Sequence, residues 1–157
     1  MAKVKNLYII TVFHMEKKTN EDYEREAKIA SIRHNREITL DRIKQMQFSK
    51  ADLYKFSSDE VAYFDNFDEA NEFLVENTCD VYEYCYTYGA ILETPLNCAY
   101  PFMYSTNLHL YKYDEKNKGY YPADRENINE EMYEAIKAFF SYHEDIAEFY
   151  RKENESD

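Results

Sequence analysis

Three cysteines and four histidines are the side chains best suited to nucleophilic or metal chemistry in this chain. Cys79, Cys85 and Cys98 stand six and thirteen residues apart, and His109 would complete a set of metal ligands. That spacing lacks the paired C-x2-4-C knuckle through which one short turn presents two thiolates to a tetrahedral ion, so the cysteines read as free thiols. A thiolate nucleophile at Cys85 would need a base, and His14 or His109 could serve only if strands brought them together, because no motif joins them. His143 falls on the apolar stripe of the last helix and reads as a packed histidine. Glu83 and Glu93 could divide acid and base roles, yet among 31 acidic residues such pairs arise by chance. Two glycines cannot build a phosphate-cradling loop, and neither G-x-G-x-x-G nor H-E-x-x-H occurs. The chemistry left is recognition. The chain is expected to be no enzyme, with no metal and no cofactor.

Two residue sets carry recognition. Tyr82, Tyr84, Tyr86 and Tyr88 alternate with Val81, Glu83, Cys85 and Thr87, a period of two that predicts an extended segment with four tyrosines on one face. Packed beneath a helix, such a ladder is core; exposed, it is an interface, including one for a homodimer. Arg33 and Arg36, with Arg42, lie in a basic stretch over 25–50 with seven Lys and Arg against three acids. They could hold a phosphate while the tyrosines stack a base, which makes a binder of a nucleotide-like molecule the alternative reading. The second set is acidic: Glu130, Glu131, Glu134, Glu144, Asp145 and Glu148 share the last helix with Tyr133 and Tyr142 as aromatic anchors.

The elements that must position these residues are regular and closely spaced. Leu7–Phe13 is an almost unbroken run of β-formers and predicts a central strand covered on both faces. Thr19-Asn-Glu-Asp22 supplies capping chemistry for an inserted helical segment over 17–50, as one bent helix or two short ones. Val61–Phe64 predicts a short strand, and Asp65 or Asn66 caps a helix with Phe67, Ala70, Phe73 and Leu74 on one face. Gly89–Pro95 and Asn107–Tyr113 read as strands, Asp114–Gly119 as a turn, and 128–152 as a long helix. The expected fold is a single α+β domain over 1–157: a mostly antiparallel sheet of about four strands, packed helices and a long C-terminal helix.

The run Tyr63-Phe-Asp-Asn-Phe-Asp-Glu-Ala-Asn-Glu-Phe-Leu-Val-Glu-Asn77, followed by Cys79-Asp-Val-Tyr-Glu83, Tyr88-Gly-Ala-Ile-Leu-Glu93 and Leu110-Tyr-Lys-Tyr113, resembles a family of small uncharacterised proteins of Gram-positive bacteria, their phages and mobile elements. The resemblance covers the first strand and about residues 61 to 122 and implies no activity. Against that pattern the chain has an insertion after the first strand and an added acidic helix after Arg125.

Composition bounds the remaining choices. The 157 residues include 17 Tyr and 10 Phe, so rings must build much of the core. A net charge of −12 repels nucleic acid and anionic membrane, which argues against non-specific nucleic-acid binding. The apolar run at the amino terminus is too short for a membrane span, and three unpatterned cysteines fit reduced thiols, so a cytoplasmic protein is expected. Together these features predict a non-catalytic acidic interaction protein: a phage or mobile-element accessory inhibitor that docks on a basic surface of a host defence protein.

Overall fold

A computed structural model of the chain describes residues 6–47, 49–95, 107–123 and 126–140, with the side chains of 83 and 84 left aside. Its fold is α+β, built on an open antiparallel sheet of five strands in the order β2-β1-β3-β4-β5, one more than expected. The strands are β1 (Asn6–Lys17), β2 (Tyr54–Phe64), β3 (Tyr88–Pro95), β4 (Asn107–Asp114) and β5 (Gly119–Pro122). Among the described residues no helix is long and apolar enough to cross a membrane.

β1 lies inside the sheet, and Ile9 to Phe13 are all buried, as a strand of β-formers with two covered faces should be. It pairs with β3 through Tyr8 opposite Glu93, Ile10 opposite Ile91 and Phe13 opposite Tyr88. Alternation then sorts the side chains. Ile10, Val12, Ile91 and Tyr111 point to one face, where Ala70 and Leu74 of helix α3 (Phe67–Val75) complete the core with Tyr120 and Val81. Phe13 and Tyr88 stack on the other face with ring centroids 5.5 Å apart.

β2 is longer than the four residues expected. It begins at Tyr54 and includes Ser57, Ser58, Asp59 and Glu60, all exposed, which is tolerable because β2 is an edge strand that buries few of its side chains.

The tyrosine ladder is corrected. Thr78–Tyr84 forms 3-10 turns, with Asn77, Cys79, Asp80 and Cys85 in the left-handed region. Asn77 is the cause: its side chain donates to Asp80 at 3.0 Å and accepts the Tyr82 N–H at 3.2 Å, offering the backbone an alternative to a strand. Tyr82, Tyr86 and Tyr88 therefore do not share a face. Tyr82 and Tyr86 pack against the α3 side of the sheet, whereas Tyr88 is buried on the opposite one.

The chain divides into two compact units, Met1–Met15 with Phe56–Tyr133, and Glu16–Lys55 with Glu134–Asp157. In the second, α1 (Asn20–His34) and α2 (Leu40–Gln45) form a helical hairpin. Thr19 and Asp22 close a capping box on α1, and Asn35 ends it with φ 50°. The hairpin leaves and rejoins the chain at one place, where the Lys18 N–H donates to the Leu53 carbonyl at 2.9 Å. Around that point Lys18 pairs with Glu26 at 2.7 Å and Lys55 with Asp22 at 3.2 Å.

The last described helix, α4 (Glu130–Phe139), is capped by the Asn129 side chain, which accepts the Met132 N–H at 2.9 Å. Its Ala135 and Ile136 are buried. The rest of the helix expected to 152 lies outside the described residues.

Candidate functional site

The cysteines and histidines considered for chemistry lie on separate elements. Cys79 and Cys85 are exposed at the 3-10 segment, and Cys98 lies outside the described residues. His14 Nδ1 is 3.1 Å from Thr87 Oγ1. His109 sits on β4 beside the Phe67 ring, centroids 4.7 Å apart, with its Nε2 3.8 Å from Glu93 Oε2.

Glu93 is the centre of a polar cluster that three adjacent strands assemble. Asn107 donates to Oε2 at 3.1 Å, Asn6 to Oε1 at 2.8 Å and Tyr8 to Oε1 at 3.4 Å. The Asn107 hydrogen bond, aided by those of Asn6 and Tyr8 and by His109, holds the carboxyl below its ordinary range against the opposing effect of burial. A carboxylate so held is an anchor between strands. General acid or base work near neutrality requires the opposite shift.

The exposed carboxylates form a more distinctive arrangement. Between Lys55 and Lys112 the sequence contains no Lys or Arg and ten Asp and Glu. The register of α3 places Asp68, Glu72 and Glu76 at i, i+4 and i+8, and all three are exposed. Like charges at that spacing weaken a helix by about 0.2–0.5 kcal/mol per pair, and Glu76 caps the carboxyl end, where the helix dipole favours a cation. The last turn of α3 has no basic residue. Charge thus segregates along the chain: 16–55 contains ten Lys and Arg against eight acids, whereas Met1–Met15 with Phe56–Tyr133 contains six against sixteen.

Of the acidic helix expected to bind a partner, Glu130 and Glu134 are exposed and Glu131 and Tyr133 half-buried, while Tyr142, Glu144, Asp145 and Glu148 lie outside the described residues. The stripe on α3 escapes a search for apolar periodicity, although the i, i+4 spacing and the absence of cations mark it in the sequence.

A third feature belongs to the helical hairpin, an open cleft of about 560 Å³ between α1 and α2. Arg33, His34, Arg36 and Arg42 line it with Glu26, Glu37 and Thr39. Ile29, Ala30, Ile38, Ile43 and Met46 supply its apolar surface. The Ser31 hydroxyl fixes the hairpin, lying 2.7 Å from the Ala27 carbonyl oxygen and accepting the Ile38 N–H at 2.8 Å. The tyrosines of the alternative reading are not among these residues. Tyr82 instead lies flat on Tyr113, centroids 3.5 Å apart, and its hydroxyl donates to Glu115 at 3.3 Å.

Comparison of the chain with protein-family models, with curated proteins and with solved structures finds no match.

Proposed function

We propose that the chain is a non-catalytic acidic interaction protein that docks on the basic surface of another protein. The observation that carries this reading is the exposed stripe Asp68, Glu72 and Glu76 in a stretch devoid of Lys and Arg. Such an array costs the helix stability, so a partner's positive charge is the natural compensation. A protein whose basic surface ordinarily meets nucleic acid fits the array best, because it already accommodates regularly spaced anions. An accessory inhibitor of a host nuclease belongs to that class. Glu130, Glu131, Tyr133 and Glu134 contribute further partner contacts in the same reading.

The test is a pull-down from host lysate at low and high salt with the native chain and with Asp68→Lys/Glu72→Lys/Glu76→Lys. The expected result is a stoichiometric protein partner that is lost in high salt and in the triple variant. Capture that neither salt nor charge reversal weakens would overturn the reading.

A further inference from the structure

We infer that the α1–α2 cleft binds a small amphipathic anion, a molecule with a carboxylate or phosphate head and an aliphatic body. The inference goes beyond the acidic reading and shares none of its residues. Arg33, Arg36 and Arg42 come from α1, the connecting turn and α2, so three arginines from three parts of the hairpin line one cleft. Guanidinium is the group that pairs with carboxylate or phosphate through two parallel hydrogen bonds. Arginine outnumbers acid in the lining, three to two, and one of the acids, Glu26, pairs with Lys18 at 2.7 Å.

The body of the ligand follows from the rest of the lining. Ile29, half of whose surface is exposed, stands at the cleft, and Ile38 and Met46 continue the aliphatic wall. No aromatic residue is among the described lining residues, so a stacked nucleobase finds no platform there. A cleft of about 560 Å³ falls within the range of roughly 300–1,000 Å³ typical of small-molecule sites. Its shape is set in advance by Ser31, whose hydroxyl ties α1 to the Ile38 backbone. In a chain of net charge −12, three arginines gathered beside exposed aliphatic surface describe an anion with an apolar tail.

Decanoate, decyl phosphate and AMP titrated into the full chain provide the test, with heat of binding and backbone amide shifts as readouts. Saturable binding of decanoate or decyl phosphate is expected, with shifts confined to residues 26–46; which of the two binds tighter identifies the head. Arg33→Gln/Arg42→Gln should weaken binding by about tenfold or more, as expected for lost charge-assisted hydrogen bonds. Ile29→Asp, a change at an exposed position, should weaken it independently, while far-UV circular dichroism confirms that both variants fold. The triple α3 variant should bind these probes unchanged, which separates this inference from the acidic reading. Absence of saturable binding, shifts outside the hairpin, indifference to the arginine changes, or preference for AMP would each overturn it.

Discussion

The backbone of Gly119 lies directly against that of Val75: a Cβ added at Gly119 would stand 2.0 Å from the Val75 carbonyl oxygen. The constraint is one of space, since Gly119 has no positive φ. It fixes how closely the end of α3 approaches the start of β5.

Gly119→Ala should therefore destabilise the fold by about 1–3 kcal/mol, toward the upper end because the obstacle is backbone and cannot rotate away. Gly89→Ala should cost less, because its Cβ would meet the Leu74 side chain at 3.2 Å, which can shift. Urea unfolding of both variants checks the order. Equal midpoints would contradict it.

Acid should loosen the base of the helical hairpin. The Thr19 backbone N–H, with help from Lys55, holds the Asp22 carboxyl down to about 2, below its ordinary 3.8. A lowered pKa means that the contribution of Asp22 to stability is present above pH 3.8 and disappears as pH falls through about 2. The difference in unfolding midpoint between native chain and Asp22→Asn should be constant near neutrality and shrink across that window. A difference independent of pH would show that the charge of Asp22 contributes nothing.

Base should act through the core tyrosines. Burial pushes Tyr111 up to about 12 and Tyr120 up as well. A raised tyrosine pKa stabilises the fold below pH 10 and loses that contribution as pH rises through about 12. Because the chain has no tryptophan, tyrosinate absorbance reports the titration without interference. It should be biphasic, with the last tyrosines ionising only as the sheet unfolds. A single smooth transition near the ordinary value would refute this.

Glu76→Lys should separate stability from binding. Placing a cation at the end of α3, four residues from Glu72, should stabilise the helix by about 0.3–1 kcal/mol. The same change should slow association with a basic partner. Thermal unfolding and association rates at low salt measure the two effects, and a loss of stability would mean that Glu76 has a structural role.

Much of this architecture is legible from local pattern. Leu7–Phe13 announces a buried strand, Thr19 and Asp22 a capping box, and Phe67, Ala70 and Leu74 a helix face, because each rests on neighbours within a few residues. Tyr82 to Tyr88 misleads, because a period-two pattern cannot register that the Asn77 side chain captures the Tyr82 N–H and turns the chain. Ser57 to Glu60 hides a strand, since an edge position needs no apolar alternation. The arginines of the cleft are visible as a basic run, but a cavity is a property of two helices and of the Ser31 contact between them. The Glu93 cluster likewise depends on the register of three strands, with Asn6 lying 87 residues away.

The absence of Lys and Arg from Phe56 to Tyr111 determines which reagents can report on the acidic face. Trypsin releases Phe56–Lys112, which carries most of β2 and all of α3 and β3, as one long peptide, and amine-reactive crosslinkers find no lysine between its ends to join. A partner seated on Asp68, Glu72 and Glu76 would escape a conventional lysine footprint and yield to carbodiimide coupling through the carboxylates themselves.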